Sequence, residues 1–355
     1  MVTLKILPAY DGDCLIINFG QDDNKRNILI DGGRGATYSY LKKAIIAIDT
    51  KKEFIDLLVV THIDRDHIQG IITLFKDNEI NKATIKKVWF NSGKKLLRFF
   101  GENDEDAENR EIIINNSPEV SINQGISFES LLETYSLYDD TIIYSPMMIP
   151  LEGARLTILS PDIECLSKLN SAWQIEQMGD EVNVSRTSNQ EYDQTLRELL
   201  ENDFVEDASI PNGSSIAFLF EYCDQKVLFL GDSFPSVIEK ELRDLGYSVE
   251  NKLRVNAIKI SHHASKYNTS SSLLEMIECE NFIISTNGMK HGHPNKECLS
   301  RIISTRNFSR LFFNYNISDS IFLDIDKNQF SFECVYIGDN KFVFGGITIV
   351  SRTCC

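Results

Sequence analysis

The sequence lacks the features of several protein classes. No run approaches the ~18 consecutive apolar residues that a membrane-spanning helix needs. Residues 1–7 alternate as a strand does, without the apolar core of a signal peptide. The eight cysteines include no CxxC pair, which disfavours both a disulfide framework and a thiolate zinc site. We therefore expect a cytoplasmic protein that does not contact a membrane.

Basic residues are also few. The chain has 36 lysines and arginines against 52 acidic residues, which gives a formal net charge of −16. This balance argues against a broad electrostatic surface for nucleic acid. It leaves open a local basic rim, or a site whose bound metal ions attract phosphate. Repeats, low-complexity tracts and long linkers are absent as well, so the 355 residues predict a single domain, 1–355.

The densest group of metal-binding side chains comes after a short apolar run. Residues 54–60 are mostly apolar and too few for a helix, which predicts a buried strand. His62, Asp64, Asp66 and His67 come directly after it, and apolar residues then recur at helical spacing. Open α/β sheets place their sites at such strand ends. Imidazole and carboxylate together suit Zn²⁺, Mn²⁺ or Fe²⁺. We predict that the first two side chains reach one ion and the last two face a second.

The same plan of strand and then ligand recurs along the chain. All six histidines lie in three places, each close behind an apolar run: 62/67, 262/263 and 291/293. Asp31 and Asp232 also end apolar runs. A histidine satisfied inside a core is the commoner case for one residue, but that interpretation does not account for all six. We predict that these strand ends converge on one site.

Two segments fit the core pattern poorly. Residues 94–150 read as an insertion that covers one edge of the core, with an acidic loop at residues 101–108 and a helix at 128–135. Residues 162–211 are polar, with one predicted helix at 189–200. Apolar spacing elsewhere predicts helices at 38–48, 237–245 and 296–303.

Taken together, these residues resemble the metallo-β-lactamase superfamily. The HxHxDH motif of the family appears as residues 62–67, with Asp64 at the usual middle histidine. Asp31 matches the strand-end aspartate of the first motif, and Asp232 matches the metal-bridging aspartate. His263 matches the late metal-binding histidine, with His262 as the alternative.

One family position departs from this pattern. A further metal-binding histidine is expected where this chain has Ser160, since no histidine lies between residues 67 and 262. The resemblance therefore implies that the ion at His62 and Asp64 has one ligand fewer than usual.

A narrower resemblance covers nearly the whole chain. The HxDxDH variant and four further motifs look like the lactamase-like domain of bacterial competence (ComEC-type) DNA-uptake proteins: Gly12-Asp13, residues 212–215, residues 262–266 and residues 292–294. The resemblance implies an αββα metallo-β-lactamase sandwich with insertions, in a stand-alone relative without the membrane channel. It also implies metal-dependent hydrolysis with one or two divalent ions (Zn²⁺ or Mn²⁺). Phosphodiester bonds, with DNA as the leading substrate, are the implied target.

Individual residues receive roles under this interpretation. Asp66 would bind metal and orient the attacking water, and Asp31 would fix the tautomer of a ligand histidine. His293 would donate a proton to the leaving oxygen or bind phosphate. Ser265 and Lys266 would bind phosphate, although a solvated surface lysine fits the sequence equally well. Two other functions remain open: hydrolysis of small phosphodiesters such as cyclic nucleotides, and a metal-binding sensor or interaction module without turnover.

Overall fold

The computed structural model describes residues 2–21, 24–101, 120–175, 190–338, 341–344 and 346–350. Within them the strands are β1 Val2–Ile6, β2 Leu15–Gln21, β3 Asn24–Ile30, β4 Ile55–Val59, β5 Val88–Trp89, β6 Met147–Leu151, β7 Ala154–Ser160, β8 Ala217–Tyr222, β9 Gln225–Phe229, β10 Leu253–Arg254, β11 Ala257–Lys259, β12 Ile277–Glu278, β13 Asn281–Ile284, β14 Ser309–Phe313, β15 Phe332–Tyr336, β16 Lys341–Phe344 and β17 Ile347–Val350. The α-helices are α1 Tyr38–Thr50, α2 Arg65–Lys76, α3 Gly93–Phe99, α4 Val120–Thr134, α5 Ile163–Ile175, α6 Leu196–Leu199, α7 Ile210–Gly213, α8 Pro235–Asp244, α9 Ser271–Glu275, α10 Lys296–Ser304 and α11 Asp324–Gln329.

Two mixed sheets pack face to face. The first has the order β16-β17-β1-β2-β3-β4-β5, and the second has the order β15-β14-β13-β11-β9-β8-β7-β6. Apolar side chains of both sheets interdigitate between them; the rings of Phe19 and Phe220, for example, meet edge to face at 5.3 Å. Helices cover the outer faces, which gives the predicted αββα metallo-β-lactamase sandwich.

The strands that lead to the predicted site are parallel and buried on both faces. In β4 all five residues are buried, as expected for a parallel strand with layers above and below it. Its one charged residue, Asp56, is satisfied by Arg26 at 3.1 Å and Lys86 at 2.9 Å. β3 and β4 pair in parallel, as do β9, β11 and β13 in the other sheet. Their carboxyl ends therefore lie at matching edges of the two sheets.

Most predicted helices are confirmed. Residues 38–48, 237–245 and 296–303 lie in α1, α8 and α10, within a few residues of the predicted bounds. The helix predicted at 189–200 is divided: a 3₁₀ turn spans Gln190–Asp193, and α6 begins after the Thr195 capping box. Since Thr195 caps a new helix with its side chain, the chain does not continue as one helix.

The segment 94–150 contributes to the core. In its described part, α4 packs against α2 on the outer face of the first sheet, and Phe128 contacts Phe75 and Phe90 edge to face at 5.3 and 5.1 Å. Apart from Gly101, the predicted acidic loop lies outside the described residues, as does the pair Cys354-Cys355. The division into one domain with insertions stays a prediction. Among the described helices, none combines the length and the apolar character that a membrane crossing requires.

Candidate metal centre

The first four predicted ligands lie where β4 leads into α2. Helix α2 begins at Arg65, inside the cluster, so Asp64 is its N-cap residue and His67 lies in its first turn. The helical turn brings the ring of His67 over that of His62, with centroids 4.2 Å apart. As a result His62 faces both Asp64, at 3.6 Å, and His67.

Asp232 lies at the middle of the histidines. It comes after β9 and Leu230-Gly231, where Gly231 has a left-handed φ of +51° that a larger residue rarely adopts. Its Oδ2 is surrounded by four imidazole Nε2 atoms, of His67 at 3.4 Å, His62 at 3.7 Å, His262 at 3.8 Å and His263 at 3.9 Å. A carboxylate so placed can serve two neighbouring ions at once.

Two groups of side chains have the geometry to hold an ion. His62, His67 and Asp232 form the first, and Asp66, His67 and His263 form the second; within each, the ligand atoms lie within 4.8 Å of one another. His67 belongs to both groups. The structure thus brings together five of the predicted ligands, and Asp64 lies beside the first group through its contact with His62.

Hydrogen bonds fix the tautomers of the ligand histidines. Asp31 accepts from the Nδ1 of His67 at 2.8 Å and from the amide and hydroxyl of Thr61 at 2.8 and 2.7 Å. Because the Thr61 hydroxyl donates to Asp31, its oxygen accepts from the Nδ1 of His62, 3.1 Å away. Both rings therefore present the Nε2 lone pair to the centre. This is the contact that the predicted role of Asp31 requires.

The other two histidines lie on a strained turn. His262, His263 and Ala264 have φ angles of 44°, 52° and 66°, and a left-handed conformation is costly for residues with a side chain. The Nδ1 of His263 donates to the carbonyl of Ser285 at 2.8 Å, which directs Nε2 towards Asp66, 3.4 Å away.

His262 is oriented by a second network. The amide nitrogen of Asn268 donates to Asp207 and to the carbonyl of Asp232, at 3.0 and 3.1 Å, so its oxygen must accept from the Nδ1 of His262 at 2.9 Å. His262 thus also directs Nε2 towards Asp232, but it belongs to neither ligand group. The geometry favours His263 as the ligand and leaves His262 beside it.

The charges of the centre depend on one another. Burial opposes charge on His67, but Asp232 and Asp31 outweigh burial and raise the pKa of His67 well above its ordinary value. Burial likewise opposes charge on Asp66 and Asp232, but the neighbouring histidines lower the pKa of both carboxyls. His263 shows the same pattern, with its pKa raised to about 9, chiefly by Asp13 and Asp232 against the effect of burial. A cation that replaced these protons would meet ionised carboxylates.

Unpaired buried atoms show that the residues fit a metal ion. The Nε2 of His62 and the Oδ1 of Asp232 are buried and have no hydrogen-bond partner among the described residues. A buried polar atom without a partner costs free energy, so such atoms call for a missing partner. Imidazole nitrogen and carboxylate oxygen are ligands of Zn²⁺, Mn²⁺ and Fe²⁺.

Ser160 ends β7 beside Ala217 of β8 and is fully buried. Its hydroxyl has no hydrogen-bond partner within the described residues. A serine here supplies no imidazole, so the ion at His62 and Asp64 would bind with fewer protein ligands.

The predicted catalytic His293 lies on the far side of His262. The two rings meet edge to face at 4.8 Å, and the ring of His263 is 6.4 Å away. Burial, and then the neighbouring histidines, lower the pKa of His293 well below its ordinary value. A neutral ring carries one N–H, so the predicted proton-donor role stays a prediction that relies on this single donor.

Lys266 and Ser265 have other partners. The ammonium of Lys266 contacts Glu191 at 2.8 Å and Glu297 at 3.6 Å. Ser265 is fully buried and accepts from the amide of Tyr267 at 3.2 Å. A phosphate would have to compete with two carboxylates for Lys266. The phosphate-binding role of both residues stays a prediction.

Sequence reasoning missed a buried ion pair behind His263. Lys259 and Asp13 are almost fully buried with their charged atoms 2.6 Å apart, and the free Oδ1 of Asp13 lies 3.6 Å from the Nδ1 of His263. The amide of Asp13 donates to the carbonyl of Asp66 at 3.2 Å. A lysine between Ile258 and Ile260 in an apolar strand was the available signal, because buried lysines are almost always paired.

Comparisons with known proteins give one family match and several weak structural similarities. A family model of the metallo-beta-lactamase superfamily matches residues 8–138. No curated protein matches the chain. Among solved structures, similarity is found to the metallo-beta-lactamase fold protein YhfI from Bacillus subtilis, with 10% identity, 94% of each chain covered and a TM-score of 0.39. CmlA, a diiron beta-hydroxylase from Streptomyces venezuelae, shows 11% identity and a TM-score of 0.39 over 94% of this chain, which spans only 52% of that protein.

We draw no conclusion about the function of this chain from structural similarities this weak. The family match is a separate observation, because it covers Asp31 and the cluster at residues 62–67. That match supports a place for this chain in the metallo-beta-lactamase superfamily.

Proposed function

We propose that this protein is a metal-dependent phosphodiesterase. The observation that carries the proposal is the pair of ligand groups that share His67, with unpaired ligand atoms on His62 and Asp232. The family match and these groups support a metal-dependent hydrolase or a related activity. The phosphodiester as substrate rests on the resemblance to competence proteins.

The ligand set would be His62, Asp64 and Asp232 on one side, and Asp66 and His263 on the other. His67 has one free ring nitrogen, because its Nδ1 is bonded to Asp31, so it would complete one of the two sets. A divalent ion bound there supplies Lewis acidity, which activates water near neutral pH and neutralises phosphate charge. Asp232, central to the histidines, would then contact both positions.

Asp66 has the position to orient the nucleophile. Its side chain is 17% exposed, whereas Asp232, the other carboxylate of the two groups, is 3% exposed, so Asp66 borders the open side of the centre. Its lowered pKa keeps it ionised, and an ionised carboxylate only accepts hydrogen bonds. It can therefore hold an attacking water by accepting one of its hydrogens.

His293 would act on the leaving group. Its Nδ1 is buried without a partner among the described residues, and its ring packs beside His262. A neutral imidazole in this position can donate its N–H to a leaving oxygen.

The size of the substrate is open between nucleic acid and small phosphodiesters. The net charge of −16 disfavours a long DNA tract, since each phosphate contact needs a basic partner. The slope of log affinity against log salt concentration separates the two: close to zero for a small ligand and steep for DNA.

The proposal is tested by hydrolysis of bis-p-nitrophenyl phosphate with added Mn²⁺ or Zn²⁺. We expect turnover that a chelator abolishes and that Asp66→Ala lowers by about a hundred-fold or more. The control is Asp244→Asn, an exposed carboxylate on α8, which should keep wild-type turnover. Wild-type rates in Asp66→Ala would remove this residue from the mechanism.

A metal-binding sensor without turnover is the second candidate, and Ser160 is the observation that favours it. A missing ligand often accompanies lost catalysis, and Ser160 stands where the family resemblance leads us to expect a metal-binding histidine. Stoichiometric metal without hydrolysis of this ester, of cyclic nucleotides or of DNA would favour the sensor over the phosphodiesterase.

A further inference from the structure

A pair of charged side chains, Asp11 and Arg34, lies beside the candidate centre on two loops that pack against the start of α2. Residues 9–13 form the first loop; an added Cβ at Gly12 would meet the carbonyl of Asp66 at 1.8 Å, so the loop backbone lies directly on that helix turn. Residues 31–35 form the second, in which the amide of Gly32 donates to the carbonyl of His67 at 2.8 Å. The two loops carry four charged residues; besides Asp13 and Asp31, described above, these are Asp11 in the first loop and Arg34 in the second.

Arg34 is held in one orientation by Asp11. Its Nε donates to the carboxylate at 2.8 Å and its Nη2 donates to the other carboxylate oxygen, which is the bidentate geometry of a strong pair. Its Nη1 makes no hydrogen bond within the described part of the chain. The side chain is 15% exposed, so this free edge of the guanidinium is preorganised rather than freely solvated.

The charge of Arg34 is linked to the centre. Burial disfavours the charged guanidinium, but the hydrogen bond to Asp11 and the charges of Asp66, Asp11 and Asp64 raise the pKa of Arg34. Arg34 is bonded to Asp11, and the next residue, Gly12, packs on the carbonyl of Asp66, so this cation lies on the loop beside the open side of the centre. Metal ions bound at the centre would offset the negative charge of the acidic ligands. The N–H groups of Arg34 that do not bond Asp11 would then have less negative charge around them.

His291 lies at the same rim. It is exposed, and its ring is 6.2 Å from that of His293, which in turn packs against His262 next to Asp232. Its segment is tied to the first loop: the amide of Asn287 donates to the carbonyl of Tyr10 at 2.8 Å. Asp66 and Arg34 are among the groups whose charges act on His291.

We propose that Arg34, oriented by Asp11, forms with His291 an anion-binding subsite at the mouth of the centre. The ligand class is a phosphodiester monoanion, whose non-bridging oxygen would accept from the Nη1 of Arg34. This assignment rests on the proposed function and names the group that recognises the charge of its substrate. Under this proposal Arg34, rather than Lys266, binds the phosphate. Lys266 already contacts two carboxylates, whereas the Nη1 of Arg34 has no hydrogen-bond partner in the described part of the chain.

Binding of inorganic phosphate to the Mn²⁺-loaded protein tests the subsite by calorimetry without requiring turnover. Loss of one charge-assisted hydrogen bond predicts that Arg34→Gln weakens phosphate binding by about ten-fold or more. Arg34→Lys should recover part of the affinity, because it keeps the charge and loses the fork. The matched control is Arg155→Gln, which removes an equal charge from an exposed position on β7. It should bind phosphate as the wild type does.

Kinetics then separate the subsite from the activity. With bis-p-nitrophenyl phosphate, Arg34→Gln should raise KM about ten-fold with a smaller change in kcat. Unchanged phosphate affinity in Arg34→Gln would overturn the subsite, even if the wild type hydrolyses the diester. Phosphate binding that depends on Arg34, in a protein that hydrolyses no diester, would overturn the proposed function and leave an anion site.

Discussion

His67 is the side chain on which the candidate centre depends most. It belongs to both ligand groups, and its Nδ1 is bonded to Asp31 at 2.8 Å. Asp31 itself has a left-handed φ of 55°, so the chain accepts backbone strain to place this carboxylate. Such a partner makes a ligand imidazole more basic and fixes its orientation.

Replacing Asp31 therefore weakens metal binding without removing a ligand. We expect Asp31→Asn to lower metal affinity by about 10–100-fold, because the amide keeps the shape but loses the charge. Competition with a chromogenic chelator measures the metal affinity of each variant. Asp244→Asn, which makes the same change at an exposed position on α8, is the control and should keep the wild-type affinity. Equal affinities in Asp31→Asn and the wild type would contradict the positioning role.

The buried pair of Asp13 and Lys259 predicts a stability effect. Loss of one partner leaves an uncompensated buried charge, which costs about 3–5 kcal/mol. We expect Lys259→Met to lower the free energy of unfolding by this amount in urea titrations. The double variant Asp13→Asn/Lys259→Met should lose less than the single one, because no charge remains unpaired.

The control for that pair is an exposed one. Arg254 and Glu278 are 82% and 57% exposed and lie 2.9 Å apart. Surface pairs contribute about 0–1 kcal/mol, so Arg254→Gln should leave the free energy of unfolding nearly unchanged. Equal decreases in the free energy of unfolding for Lys259→Met and Arg254→Gln would show that the buried pair contributes no more than a surface pair.

At the scale of elements, α2 determines where the ligands point. Its start at Arg65 places His67 over His62, and loops 9–13 and 31–35 clamp its first turns. Gly70 permits the second clamp: a Cβ there would lie 1.9 Å from the carbonyl oxygen of Gly32.

That contact reverses the usual effect of a helix substitution. In a free helix, glycine to alanine stabilises by about 1 kcal/mol. In α2 the added methyl meets backbone, so we expect Gly70→Ala to destabilise by about 1–3 kcal/mol. Ser39→Ala on the exposed face of α1 is the control and should be neutral or slightly stabilising. Thermal unfolding of both variants decides the sign, and a more stable Gly70→Ala would refute the close packing.

The pattern of strand and then ligand made much of the site predictable. β-Branched runs that end in His62, Asp232 or His263 indicate buried parallel strands, and such strands bring the residues at their carboxyl ends to one edge of the sheet. The turn at 262–264 was not predictable, since three left-handed residues in succession obey no local preference. Arg34 was missed because its importance comes from Asp11, which is distant in sequence and adjacent only after folding.

At the scale of the whole molecule, the centre joins the two halves of the sandwich. His62, Asp66 and His67 come after a strand of the first sheet, whereas Asp232 and His263 come after strands of the second. An ion bound by both sets therefore links the sheets, and binding to the folded state alone adds to stability.

This linkage predicts a metal-dependent melting temperature. At free metal about 100 times the Kd, the gain is about 2.7 kcal/mol. We expect scanning calorimetry to show a higher Tm with Mn²⁺ or Zn²⁺, reversed by a chelator. His67→Ala should show a smaller metal-dependent shift. An equal shift in that variant would place the binding elsewhere.

Metal stoichiometry in three histidine variants tests the central claim most directly. After loading and removal of free ions, His67→Ala should bind less metal than the wild type, because the one free ring nitrogen of His67 is a candidate ligand in both groups. For a wild type that holds two ions per chain, His62→Ala and His263→Ala should each keep the ion of the other group. Absence of metal in the loaded wild type, or an unchanged content in His67→Ala, would contradict the account.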